Sequence, residues 1–165
     1  MDALLDPSTA SLLATLLNSQ RTAALGTLRQ GAPLVSMVLY LPAKDFSAFH
    51  LHVSRLAWHT QDMLGDPRVS LSVAATDDGT RNPQTLERVS LRGAATALPN
   101  GTAEHAALKE AWLERYPESE INFEFADFAF FRIVPRDARF VAGFGRIHNL
   151  SSAALIAVAD GSIST

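Results

Sequence analysis

Val53-Ser-Arg-Leu-Ala-Trp-His-Thr-Gln-Asp-Met-Leu-Gly-Asp-Pro-Arg-Val-Ser-Leu-Ser-Val73 decides how this chain is read. It opens on the end of a strand, passes through a short helix and a turn at Gly65-Asp66-Pro67, and closes on a second strand. The strand-to-helix corner carries Ser54 and Arg55, a hydroxyl beside a fixed positive charge. A helix starting near Leu56 or Ala57 aims free backbone N–H groups and its positive dipole end at the same spot. Those three features together make a phosphate site. The plainer alternative is an N-cap serine followed by a solvated arginine.

Upstream, Asp6-Pro7 starts a helix whose apolar face is Leu12, Leu13, Leu16 and Leu17. Thr22 to Leu28 and Pro33 to Leu41 read as a hairpin turning at Gln30-Gly31. In the second arm Ser36, Val38 and Tyr40 share one side; Val35, Met37, Leu39 and Leu41 share the other. Phe49, Leu51 and Val53 alternate with His50, His52 and Ser54, a strand whose second face is polar and is expected to be exposed.

Downstream, Val69, Leu71 and Val73 alternate with serines. A polar surface loop spans Thr76 to Thr85, and a long strand runs from Leu86 to Leu98 with a bulge or close approach at Gly93. Thr102 to Arg115 reads as a helix with Ala103, Ala106, Ala107, Ala111 and Trp112 on its apolar side. Phe128 to Val134 is a sixth strand, Arg139 to Gly143 extends the sheet, Ser151 to Val158 forms a last short helix, and Asp160 to Thr165 frays. Hairpins dominate and no regular βαβ alternation occurs, which favours an antiparallel barrel.

Composition bounds the function. The chain has 165 residues, 47% apolar, with net charge -3. That balance argues against a general nucleic-acid binder. There is no cysteine, so disulfides and thiolate metal sites are excluded. No apolar run reaches the roughly 20 residues of a membrane span. The N-terminus lacks the basic region of a secretion signal, and a cytoplasmic protein is expected. His50 and His52 stand at i and i+2, but no third ligand converges on them, so no metal site is assigned.

The pattern Ser-Arg-x-x-x-His-Thr-x-Asp-Met-x-x-Asp-Pro-Arg-Val-Ser-Leu resembles the strand-to-helix segment of the FMN-binding split-barrel superfamily, which includes pyridoxamine 5'-phosphate oxidase. A second segment, Pro135-Arg-Asp-Ala-Arg-Phe-Val-Ala-Gly-Phe-Gly-Arg-Ile-His148, resembles the closing motif of its haem-utilisation branch. The likeness runs from about Gln20 to Leu150. It implies a mainly β fold: a single Greek-key split barrel of about six antiparallel strands. The domain would cover 1–165, with a helix over 1–19, the barrel over 20–150, and a short helix and tail over 151–165.

The resemblance further implies a homodimer with FMN at the subunit interface and redox chemistry on a small organic molecule. Ser54 and Arg55 match the phosphate-binding positions, with His59 and Thr60 following in the helix. The family's lysine after that arginine is Leu56 here, which implies looser FMN binding. Val35, Ser36, Met37 and Val38 match the flavin-facing strand. Arg88, five residues before Gly93, and Arg146, after the Gly143-Phe-Gly145 turn, are candidate charges near the ring. No residue stands out as a general acid or base. The alternative is a flavin or haem binding and storage protein without flavin turnover. The haem-utilisation branch uses a C-terminal histidine as iron ligand; nothing after His148 is a histidine, which leaves His148 as the one candidate.

Overall fold

The computed structural model describes residues 5–159, so the expectation for the Asp160 to Thr165 tail lies outside the described residues. Helix α1 (Pro7–Ser19) starts as expected, because the Asp6 carboxylate accepts from the backbone N–H groups of Ser8 and Thr9, both at 3.0 Å. Strands β1 (Thr22–Arg29) and β2 (Ala32–Leu39) form a hairpin. Its two-residue turn puts Gln30 at φ 53° and Gly31 at φ 82°, the left-handed pair that matches strand twist.

After β2 come β3 (Leu41–Pro42), β4 (Phe49–Ser54), α2 (Trp58–Gly65), β5 (Arg68–Ala74), β6 (Arg88–Ala97), α3 (Ala103–Arg115), β7 (Phe128–Val141), β8 (Ile147–Ser151) and α4 (Ser152–Ala159). Every strand pairing is antiparallel, in the order β2-β1-β5-β6-β7-β4-β3, with β8 added on β7. β2 and β3 sit at opposite ends of that order, yet only Tyr40 separates them in the chain. The sheet therefore curls back on itself, and Tyr40 is its seam.

Leu25, Leu51, Leu71, Leu91, Ile133 and Phe140 point inward with no exposed surface. Leu13 and Leu17 of α1 join the same core, as does Leu155 of α4. A second cluster of Leu98, Trp112, Tyr116 and Phe130 packs α3 and the 3-10 segment Pro117–Glu124 on the outside of β7.

Six expectations need correcting. The described residues form eight strands instead of about six. Tyr40 breaks the expected Pro33 to Leu41 strand, and Ile147–Ser151 pairs with β7 where only a turn and helix were expected. β7 runs unbroken through Pro135, which is tolerated because it faces the bulge at Arg92/Gly93. α3 buries Trp112 but leaves Ala103, Ala106 and Ala107 exposed; alanine's short side chain fits either environment and so misleads a periodicity reading. His50 and His52 are not on a solvated face: at 6% and 8% exposure they lie beneath that outer layer.

Candidate functional site

β4 ends at Ser54, opposite Phe128. The chain then turns against Asp127. The Ser54 hydroxyl donates to the Asp127 carboxylate, and the Arg55 N–H donates to the Asp127 carbonyl at 2.7 Å. The Leu56 N–H donates back to Ser54 Oγ at 3.1 Å. Helix α2 starts from Ala57, which offers no side-chain cap. In its first turn the Thr60 N–H donates to the Ala57 carbonyl at 3.1 Å, and no side chain caps the helix; Arg55, just before it, is exposed and makes no side-chain hydrogen bond among the described residues. Leu56 and Trp58 stand exposed on the same corner. The corner has the cation and the helix end that an anion needs, and Asp127 adds an opposing charge behind Ser54.

α2 is fastened beneath this corner. Asp62, 7% exposed, accepts from Thr27 Oγ1 at 2.9 Å and pairs with Arg29 Nη1 at 2.9 Å. The Arg29 guanidinium lies 4.1 Å from the Trp58 ring centroid. His59 and Thr60 turn inward. His59 Nε2 and Thr60 Oγ1 are buried without a hydrogen-bond partner among the described residues. Burial lowers the His59 pKa, opposed by the Asp62 charge.

The four β2 positions divide between two faces. Val35 and Met37 are 69% and 72% exposed, Ser36 is half-buried and Val38 is buried. A flat ligand along β2 meets the Val35 and Met37 side chains; it does not meet Val38. Arg88 and Arg146 lie elsewhere. Arg88 pairs with Val141 on β7, thirteen positions from the Phe128 that faces Ser54. Its Nη1 donates to the carbonyls of Gln84 and Leu86 at 3.2 and 3.1 Å. Arg146 Nη2 donates to Thr9 Oγ1 at 2.6 Å, tying the β7–β8 turn to α1. Within one protomer neither arginine reaches Ser54 and Arg55.

A cleft of about 730 Å³ lies on the outer face of β2, β1, β5, β6 and β7. Of the expected site residues it includes Val35 alone. Gly26 and Gly93 lie in its floor. A Cβ on Gly26 would sit 2.4 Å from Ser70 Oγ, and one on Gly93 2.2 Å from the Val134 carbonyl oxygen. Three arginines line it: Arg68, Arg92 and Arg136. Arg68 Nη2 pairs with Asp66 at 2.5 Å, while Asp137 accepts from Arg92 Nε at 2.8 Å and from Arg136 Nε at 3.0 Å. Those bonds, Arg92's first, hold the Asp137 carboxyl below its ordinary range. One carboxylate shared by two guanidiniums leaves net positive charge beside an apolar floor. This set comes together only through cross-strand register, Ser70 opposite Arg92 and Arg92 opposite Asp137, so no local motif announced it.

His148 does not face this cleft. It sits on β8 opposite Phe140, the ring centroids 6.3 Å apart, with its Nε2 buried. Among the described residues no group of three His, Asp or Glu side chains is placed to hold a metal ion.

A family model described as CREG, beta-barrel matches residues 6–155. The chloroplastic haem oxygenase HOZ of Arabidopsis thaliana is 36% identical over 134 residues, 78% of this chain. The chain spans 39% of that relative's length. A solved haem-binding protein of Mycobacterium smegmatis superposes with TM-score 0.81 at 28% identity, covering 93% of this chain and 62% of its own. HutZ, a haem storage protein of Vibrio cholerae, superposes with TM-score 0.69 at 19% identity, covering 81% of this chain and 91% of its own, and shows the fold alone.

Proposed function

Because this chain belongs to the CREG β-barrel family of the FMN-binding split-barrel superfamily, we propose that it binds haem on the outer face of the sheet. The observation that carries this reading is the 730 Å³ cleft, with its glycine floor and its three arginines. Haem needs a flat apolar bed and cations for two propionates. Gly26, Val35 and Gly93 supply the bed; Arg68, Arg92 and Arg136 supply the cations. The relatives above 25% identity, from Arabidopsis thaliana and Mycobacterium smegmatis, are both named for haem.

The fit stops at the iron. Among the described residues no histidine, methionine or tyrosine lines the cleft. His50, His52, His59 and His148 are all wholly or partly buried in the barrel or its outer layer. This chain's part is therefore to bind the ring and the propionates and to exclude water from one ring face. When bound, haem would supply redox chemistry at its iron.

The same reading includes a homodimer. The outer face carries small side chains in register, Ala24, Ser72 and Ser90 in one row with the exposed Met37. A flat, partly apolar face of that kind suits a second copy, which would cover the cleft.

FMN is the second reading, favoured by the free Arg55 guanidinium beside the uncapped start of α2. Ser54, Arg55 and the α2 N–H groups would take its phosphate, and Val35 and Met37 would meet its ring. Arg88 and Arg146 would contribute only from a second copy. The flavin would then support oxidation or reduction of a small organic molecule. Titration of the purified protein with haem, FMN and riboflavin separates the readings. A saturable Soret shift at one haem per chain, with FMN binding no better than riboflavin, supports the first. Tight FMN binding without haem saturation overturns it.

A further inference from the structure

His50 and Arg132 stand directly opposite each other on β4 and β7, beneath α3. The imidazole is 6% exposed; the Leu41 backbone takes a hydrogen bond from the ring, and its Nδ1 has no hydrogen-bond partner among the described residues. Arg132 reaches out to Glu104 in the first turn of α3, and this ion pair is partly open, with side chains 34% and 49% exposed. Between them lies a second cleft, about 480 Å³, whose walls include Ala43, Ala48, Ala107 and Leu108. It shares only Val134 with the outer cleft.

The arrangement is poor design for stability alone. A buried imidazole nitrogen without a partner is costly, and a guanidinium across the ladder disfavours protonation of the ring. Burial first, then Arg132, pushes the His50 pKa down to about 4, so the ring is neutral at pH 7. An apolar residue at position 50 would pack without that cost. The exposed alanine of α3 that lines the cleft also finds a role here: Ala107 leaves room where a larger side chain would fill it. Departures from local stability rules of this kind concentrate at functional sites.

We propose that this cleft binds a small carboxylate with a short aliphatic body. The ligand's carboxylate takes the Arg132 guanidinium, beside the neutral His50 imidazole. Its chain lies against Ala43, Ala48, Ala107 and Leu108. Glu104 occupies the place of that carboxylate on Arg132 in the free protein, and ligand entry releases it to solvent.

The test is an NMR titration of the full chain with acetate, valerate and pentylamine. Valerate should saturate, should perturb the His50 and Arg132 side-chain signals, and should bind about tenfold or more tighter than acetate because of its three extra methylenes. Glu104→Gln removes the internal competitor and should tighten valerate several-fold. Arg132→Gln should abolish binding; should it fail to fold, Glu104→Gln decides the matter. Preference for pentylamine, equal affinity for acetate and valerate, or an unchanged valerate affinity in Glu104→Gln overturns the proposal.

Discussion

The Tyr116 hydroxyl donates to the Tyr40 carbonyl across 2.6 Å, joining the end of α3 to the seam of the barrel over 76 residues of sequence. The same oxygen accepts from Arg115 Nε at 3.0 Å, while the Tyr40 hydroxyl donates to the Leu17 carbonyl at 2.7 Å. Both tyrosines have no exposed surface. Burial raises the Tyr40 pKa well above its ordinary value, so it stays neutral and serves as a donor.

Tyr116→Phe keeps the ring and leaves the Tyr40 carbonyl without this donor. The expected loss is about 1–3 kcal/mol, the cost of an unpaired buried acceptor. In urea the unfolding midpoint should fall with the slope unchanged. An unchanged midpoint would show that Arg115 and water support the seam without the hydroxyl.

The buried histidines predict acid sensitivity. His50 and His52 are both pushed down to about 4 from an ordinary 6.5, chiefly by burial. Arg132 adds to the shift at His50; His105 and Lys109 add to it at His52. A folded pKa below the unfolded value means that the unfolded chain binds more protons between the two. Stability therefore falls as pH drops from about 6.5 toward 4, and is flat in this respect above 7. His52 is stacked on Phe123 at 4.0 Å, so His52→Phe should retain packing and remove its share of the slope. Melting temperatures at pH 7 and pH 5 should differ less in His52→Phe than in the parent; an equal difference would place the acid sensitivity elsewhere.

Two glycines should behave in opposite ways. Gly93→Ala drives a Cβ to 2.2 Å from the Val134 carbonyl, where the obstacle is backbone of the paired strand. The bulge must open, with an expected cost of at least about 2 kcal/mol. Gly65, at the end of α2, has nothing within 4 Å of its would-be Cβ. Gly65→Ala should be neutral or stabilise by up to about 1 kcal/mol. Thermal melts of the pair check the contrast.

Sequence patterning made the fold legible wherever local chemistry was decisive. Asp6-Pro7, Gln30-Gly31 and the alternation around Val69, Leu71 and Val73 each imposed their element. It failed where a long-range partner decided the outcome. His50 and His52 look polar along the chain, yet α3 and the segment after it cover them. The corner at Ser54 and Arg55 could be read because its parts adjoin in sequence. The arginine-lined cleft could not, because Arg68, Arg92 and Arg136 meet only through strand register.

That separation gives the sharpest functional prediction. Ser54 faces Phe128, whereas the outer cleft lies beside Val134 to Arg136, six to eight positions along β7 and about 20 Å or more by strand rise. A substitution at one place should leave ligand binding at the other intact within a protomer. Arg92→Ala removes a cation from the cleft and frees Asp137 from one of its two partners, so net negative charge rises where propionates would sit. Haem affinity should fall about tenfold or more. Arg55→Ala leaves the cleft untouched and should hold haem affinity within a few-fold, while weakening any FMN binding about 10- to 100-fold and riboflavin little. His148→Ala should leave both ligands nearly unaffected, because its Nε2 is buried against the barrel. Soret and flavin-fluorescence titrations of the three variants read these differences directly. If Arg55→Ala abolishes haem binding while Arg92→Ala spares it, the haem lies at the β4–α2 corner and the outer face is left to the second copy alone.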